Sequence, residues 1–359
     1  MASEETNTSS RTVTIGIVAD EGFASTIASA IGDALPERVP VDGRVLAIET
    51  ERSSMALPPT ETGSAQLGRW LESVRARNDY DVVLFLSEIP RRQRSRPVVA
   101  ELSEDNTAAL YIPSFGTVSV RRRAVAVALA IVHDFLGTDT TSRPHLRRSM
   151  ARWAPGPGPG GAEERILLTP GMFGRLRMVL GMIRCNRPWR LVPTLSGALG
   201  AASAASAFGV FYASIWQMAA FMSVQRLAAV GITAIAAMSV WLILPNGMWE
   251  TRKFRTSTTD RWMYNAATLG TVVSGVLCMY AVLFVVVLGS AAIVISPEFL
   301  AEQIHRSANF GDYISLAWLA ASLGTVAGAV GSAVADRGDI LNATYGHREL
   351  IRRQSADET

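Results

Sequence analysis

Three short polar runs in this 359-residue chain hold residue types that could do chemistry: Asp20-Glu21-Gly22, Ser87-Glu88, and Ser114 to Gly116. Carboxylates accept protons or hold cations, hydroxyls donate and accept, and glycine lets a ligand approach the backbone. Each run follows an apolar segment. If those segments are neighbouring parallel strands, the runs meet at the carboxyl rim of the sheet, where open α/β folds take their ligands. The candidate ligand-binding residues are therefore Asp20, Glu21, Gly22, Ser87, Glu88, Ser114 and Gly116. The same residue types also fill ordinary turns, which leaves a set of satisfied turn residues as the alternative. Asp20-Glu21-Gly22 lacks the G-x-G-x-x-G run of a dinucleotide fingerprint, and no phosphate-binding G-x-x-x-x-G-K-[ST] loop occurs. His133, His145, His305 and His347 are scattered, and His133-Asp134 lacks the second histidine of H-E-x-x-H. Cys185 and Cys278 lie far apart in the sequence and indicate neither a disulfide framework nor a metal site. No catalytic residue, cofactor or metal is assigned.

The elements that would position these runs occupy the first 137 residues. Thr12 to Ala19 reads as a strand, and Ile27, Ala28, Ile31 and Leu35 follow at helical spacing. Arg44 to Glu49 forms a second strand, Ala65 to Arg77 a helix with Leu67, Trp70, Leu71 and Val74 on one side, and Asp81 to Leu86 a strongly apolar third strand. Val98 to Leu102 and Ala109 to Ile112 add short strands, and Arg123 to Leu136 closes the unit as a helix. This alternation predicts an α/β domain over residues 11–137, with a mostly parallel sheet and flanking helices. Residues 1–10 are expected to be a disordered tail. The repeated Pro and Gly of Ala154 to Gly161 predict a flexible linker spanning residues 138–165.

The second half is of another kind. Leu191 to Trp216, Leu227 to Leu244, Ala266 to Ile295 and Tyr313 to Ala335 are apolar and contain no Asp, Glu, Lys, Arg or His. About 20 such residues cross the hydrocarbon of a bilayer, so residues 191–335 read as an all-α bundle of four transmembrane helices. The third stretch is too long for a straight perpendicular span and must tilt, kink near Gly289 or extend beyond the lipid; five spans is the alternative count. Arginines cluster before the first stretch, between the second and third (Arg252, Lys253, Arg255, Arg261), and after the fourth, in the tail 336–359. The other two connections carry only Arg306. Basic loops stay inside, so four spans place both termini and the head in the bacterial cytoplasm. Met1 to Ser10 has no apolar core that would export the head. The tryptophans Trp189, Trp216, Trp241, Trp249, Trp262 and Trp318 fall mainly near expected span ends, where indoles anchor at the headgroups.

Residues 166–190 are expected to form a membrane-surface helix, with Met172, Leu176, Val179, Leu180 and Ile183 in one sector; a helix of the cytosolic core fits the same wheel. Arg175, Arg177, Arg184, Arg187 and Arg190, together with Arg91, Arg92, Arg94 and Arg96, are candidate contacts for a membrane surface or another anion. Arg121 to Arg123 and Arg143, Arg147, Arg148 and Arg152 form further basic groups. Nucleic acid is not expected, because aromatic residues are not interleaved with the arginines and the net charge is only +3. Spans free of ionisable groups argue against ion-coupled transport. Gly200 with Ala204, and Gly324 with Gly328, give small-residue faces suited to helix packing, within the chain or in a homo-oligomer. The lipid bilayer, anionic headgroups, a second copy and an unidentified cytoplasmic ligand or protein are the candidate partners.

Lys253 is the sole lysine beside abundant arginine, a bias typical of high-GC genomes. With the strand Val13 to Ala19, Arg96-Pro97-Val98-Val99-Ala100, Arg187-Pro188-Trp189-Arg190-Leu191-Val192-Pro193 and Gly311-Asp312-Tyr313 leading into Leu316-Ala317-Trp318-Leu319, the chain resembles an uncharacterised actinobacterial family of multi-pass membrane proteins with an N-terminal cytoplasmic α/β domain. The resemblance covers nearly the whole chain and speaks to architecture. Sequences of this kind sometimes carry a methylenetetrahydrofolate dehydrogenase-like label. That folate enzyme family uses a catalytic lysine in its soluble fold, and Lys253 lies between membrane stretches, so no catalytic residue carries over. The expected function is a membrane-tethered ligand- or protein-binding or regulatory module; a membrane-associated enzyme with its pocket at the sheet rim is the alternative, followed by a small-solute transporter or channel.

Overall fold

A computed structural model describes residues 12–41, 44–55, 64–93, 96–103, 105–137, 152–157, 163–169, 171–249, 258–331, 340 and 344. The chain divides into two compact units, one holding the described residues up to Cys185 and the other those from Asn186 onward.

The first unit is built on a mixed nine-stranded sheet. In chain order its elements are β1 (Thr12–Ala19), α1 (Phe23–Gly32), β2 (Arg38–Val41), β3 (Arg44–Ser54), α2 (Ser64–Arg77), β4 (Val82–Ser87), β5 (Arg92–Gln93), β6 (Arg96–Leu102), β7 (Thr107–Tyr111), a 3-10 turn (Ile112–Phe115), α3 (Val120–Phe135), β8 (Arg152–Pro157), β9 (Glu163–Leu168) and α4 (Gly171–Cys185). The strand order is β2-β3-β1-β4-β7-β6-β9-β8, with the short β5 paired to β6. The centre, β3-β1-β4-β7, is parallel, but β2, β6, β9 and β8 join antiparallel and β5 pairs β6 antiparallel, so the sheet is mixed and not mostly parallel as expected. Central strands buried on both faces must be apolar throughout, and β4, Val82 to Leu86, is buried at every position. α1 and α3 cover one face through Ile27, Ile31, Val127 and Ile131. α2 covers the other through Leu67, Leu71 and Val74, with Trp70 set edge-on against Phe85.

The expected strands and helices of the head are present, with shifted ends. β3 runs five residues past its expected limit and α3 begins three residues earlier. The larger difference is at the proline-rich segment. Arg152–Pro157 is not a linker but a strand, paired residue for residue with Glu163–Leu168, which in turn pairs with β6. An outermost strand needs ladder donors on one side only, and proline is tolerated there. Residues 138–151 and 158–162 of that expected linker lie outside the described residues, as do the tail 1–10, Arg94, Arg143, Arg147, Arg148, His145, His347, Arg252, Lys253, Arg255 and nearly all of 336–359.

The second unit is helical: a 3-10 turn (Pro188–Arg190), α5 (Leu191–Thr194), α6 (Ser196–Phe211), α7 (Ala213–Phe221), α8 (Val224–Ile243), α9 (Thr258–Val294), α10 (Pro297–Ile304) and α11 (Phe310–Gly331). Among the described residues three helices are long and apolar enough to cross a membrane: α8, residues Arg261–Val294 of α9, and α11. The first apolar stretch is not one helix. It breaks at Leu195 and again at Tyr212, whose backbone is extended, and the 16 residues of α6 span only about 24 Å at the usual helical rise. α9 is continuous over 37 residues, with no break at Gly289, and starts eight residues before its apolar stretch.

α6 and α11 are the most closely apposed pair. A Cβ on Gly324 would sit 2.5 Å from the Ala202 carbonyl oxygen, and one on Gly328 2.9 Å from that of Ala198. The small face of α11 is thus used inside the chain, one of the two uses left open for it. The face expected on α6 is not. Gly200 and Ala204 point outward, nothing lies within 4 Å of a Cβ at Gly200, and the packed residues are Ala198, Ala202, Ser206 and Gly209. Two tryptophans also depart from an anchoring role. Trp216 is buried and donates from Nε1 to Gly209 O at 3.0 Å, and Trp318, in mid-helix, donates to Leu227 O at 2.8 Å while Tyr280 and Phe284 meet it edge-on. Arg306, the basic residue in the connection before α11, is paired with the buried carboxylate of Asp312, which also accepts from Asn309 N at 2.9 Å.

Candidate functional site

Chain direction reverses across the sheet between β1 and β4: α1 leads from β1 to β3 on one side, and α2 leads back past β1 to β4 on the other. That switch point is the position at which a crevice opens beyond the carboxyl ends of parallel strands. Asp20 stands at the end of β1, and Ser87 and Glu88 at the end of β4. All three are buried.

They are bound to one another. Asp20 Oδ2 accepts from the Ser87 hydroxyl at 2.9 Å and from Glu88 N at 2.9 Å, which joins the two strand ends. Ser87 Oγ in turn accepts from Ile89 N at 3.2 Å, holding the turn beyond β4. Glu88 Oε1 accepts from Ala24 N at 2.8 Å, so its carboxylate sits at the start of α1. Free N–H groups and the helix dipole make that position the natural one for an anion. Here the chain supplies the anion itself. Gly22 makes room for it: its φ is +127°, and a Cβ there would lie 2.7 Å from Glu88 Oε1. Glu21, the remaining member of this run, is exposed.

Ser114 and Gly116 belong to a neighbouring contact. The Ser114 hydroxyl donates to Val98 O, and its carbonyl accepts from Arg177 Nε at 2.8 Å. Gly116, at φ +83°, admits the Arg177 side chain, whose Cγ would be 2.6 Å from a Cβ at this position. Arg123 Nη1 donates to Phe115 O at 3.1 Å from the other side. α4 therefore seats on the turn after β7. Gly181 brings its backbone against the Pro113 carbonyl, Gly174 lies against Thr169, and Met178, Val179, Met182 and Cys185 are buried. The far end of α4 reaches α1, where Arg184 stacks over the Phe23 ring at 4.4 Å. Burial, and then the charge of Arg123, pull the Arg177 guanidinium below its ordinary pKa, though guanidinium stays protonated through the working pH range.

Several of the candidate contact arginines have partners within the head. Arg177 is spent on the 3-10 turn and Arg184 on Phe23. Arg91 Nε donates to Glu101 Oε1 at 3.2 Å, while Tyr111 donates to Glu101 Oε2 at 2.8 Å, so Arg91 serves the β6–β7 pair. Arg92 is half-buried in β5, whereas Arg96, Arg175 and Arg190 are exposed. Arg187 is half-buried at φ +52° in the turn that opens the second unit, beside Asn186, whose Nδ2 donates to Thr271 Oγ1 at 3.0 Å.

No family model, curated protein or solved structure matches the chain. The group of Glu101, Tyr111 and Arg91 was not singled out by sequence reasoning. A lone carboxylate inside the apolar run Val98 to Leu102 was its one visible signal. Among the described residues no cluster of His, Cys, Asp or Glu has the arrangement to hold a metal ion.

Proposed function

We propose that the chain is a membrane-anchored binding or regulatory module of the bacterial inner membrane. Its head faces the cytoplasm and recognises a ligand or protein close to the leaflet. The observation that carries this reading is the bonded switch point: Asp20, Ser87 and Glu88 bind one another and the start of α1. A rim held in this way gives the head a rigid recognition surface. In the anchor, α8, α9 and α11 span the bilayer, and the apolar stretch Leu191 to Trp216 supplies a fourth, broken crossing. With the basic segments inside, both termini are cytoplasmic. The alternative, an enzyme at the rim, draws on the same buried Asp20 and Glu88 pair.

The test uses the full chain in lipid nanodiscs, screened by thermal shift and calorimetry against nucleotides, folates, metal ions and lipid headgroups. Saturable binding without turnover, lost in Asp20→Asn, is the expected result for a small-ligand module. A protein-binding module instead gives crosslinks from Glu21→Cys to one cytoplasmic protein at equal stoichiometry. Reproducible turnover abolished by Asp20→Asn would replace this reading with the enzyme. Specific flux through the helical unit without its head would replace it with a transporter.

A further inference from the structure

α4 has two faces of different fate. One is fixed on the head through Gly174, Met178, Gly181 and Met182, and through Arg177 on Ser114. The other is apolar and open: Met172 is 79% exposed, Phe173 84%, Leu176 54% and Leu180 41%. Positions 172, 176 and 180 are one turn apart and form a ridge along the helix, with Phe173 beside it. Monomeric proteins seldom leave a contiguous ridge of large apolar side chains in water. Arg175 lies within the same stretch and is exposed. The Gly116–Ser119 turn, against which Arg177 packs, carries Val118 at 67% exposure and is followed by exposed Arg121 and Arg122.

We propose that this face of α4 docks on an anionic lipid bilayer, with Met172, Phe173, Leu176 and Leu180 in the headgroup boundary and Arg175, Arg121 and Arg122 toward lipid phosphates. Chain continuity decides between a bilayer and another occupant. Leu191, five residues beyond Asn186, opens the first apolar stretch of the membrane unit, and exposed Trp189 and Arg190 lie between them. Five residues reach less than about 18 Å even when fully extended. α4 is thereby held at the leaflet whether or not a protein partner is present. An apolar ridge flanked by arginines matches the chemistry of that surface. Val179, expected on the lipid side, packs into the head instead, and Arg177 faces the 3-10 turn.

The inference rests on the reading of α8, α9 and α11 as a membrane anchor, and its test separates the two. Nitroxide labels are placed on the full chain, with Cys185 and Cys278 replaced by Ala, at Phe173→Cys and Leu180→Cys, at Glu72→Cys on an exposed part of α2, and at Val285→Cys on α9. Collisional accessibility is read in nanodiscs of phosphatidylcholine with phosphatidylglycerol. Oxygen accessibility above that of a water-soluble nickel chelate at 173 and 180, with Glu72→Cys aqueous, is the expected result. Replacing phosphatidylglycerol by phosphatidylcholine should reduce the depth signal at 173 at least twofold. Aqueous values at 173 and 180 with lipid values at Val285→Cys would overturn the docking and leave the anchor standing. Aqueous values at Val285→Cys would overturn the anchor itself. Dipolar broadening between labels at 173 on two copies would assign the face to a dimer and overturn the lipid assignment.

Discussion

A methyl group at Gly22 would face two obstacles, a backbone at φ +127° and the Glu88 carboxylate 2.7 Å away. Gly22→Ala is expected to cost about 2–3 kcal/mol, in the range for strain at a special backbone position. Glu88→Ala removes the acceptor for Ala24 N and is expected to cost about 1 kcal/mol, as for a lost helix cap. In the double variant only the backbone obstacle persists, so the two costs should fall short of additivity by about 1 kcal/mol. Hydrogen exchange of the β1–α1 peptide in the full chain measures all three, and strict additivity would show that Gly22 and Glu88 do not meet. Tyr80 supplies a pH-dependent case. Burial, followed by its hydrogen bond to Glu51 at 2.9 Å, raises the phenol pKa. The folded head therefore holds this proton more tightly than the unfolded chain, whose phenol titrates near pH 10. The associated stability is whole below about pH 10 and drains away as pH climbs toward the raised folded value. Tyr80→Phe should flatten that alkaline decline in unfolding midpoint; an unchanged slope would assign the decline to other groups.

At the level of elements, legibility followed burial. β1 and β4 were readable because strands covered on both faces must be apolar, and α2 because its core residues recur once per turn. β8 was not, since Arg152–Pro157 is held by its partner β9 and not by its own propensity. α7 and α10 are too short for a periodic signal and are set by tertiary contacts, such as Gln217 Nε2 donating to Gln303 O at 3.0 Å and Trp216 meeting Phe299 edge-on. Asp20, Ser87 and Glu88 were found together because topology brings the ends of neighbouring parallel strands together. Their mutual bonding was not legible, since it depends on side-chain reach across 67 or 68 residues of sequence. The helix pair α6–α11 separates composition from geometry. Gly324→Leu should lower the unfolding midpoint of the detergent-solubilised chain by the equivalent of about 2–3 kcal/mol, as overpacking does. Gly200→Leu, with nothing within 4 Å of its Cβ, should stay within about 0.5 kcal/mol. Equal losses would place Gly200 in a contact between copies.

For the whole molecule, the proposed arrangement assigns each connection to a side of the membrane. Ser307 lies in the described segment between α10 and α11 and is exposed. In a background without other reactive thiols, Ser307→Cys should react with an impermeant maleimide on intact cells, and Trp249→Cys only in inverted vesicles. The reverse pattern would turn the protein over and place its head outside. The sole lysine offers an independent reading through amine-reactive reagents applied to either side.

The outermost strands of the sheet share a feature that matters once many copies stand in one leaflet. β2 contains Pro40, and β8 contains Pro155 and Pro157. Confinement to a plane raises encounter frequency, and an open sheet edge is a template onto which a neighbour's strand can add. Proline has no N–H to offer such an addition. With the residue placed at both ends of the strand order, neither outermost strand offers a neighbouring chain an unbroken row of N–H donors.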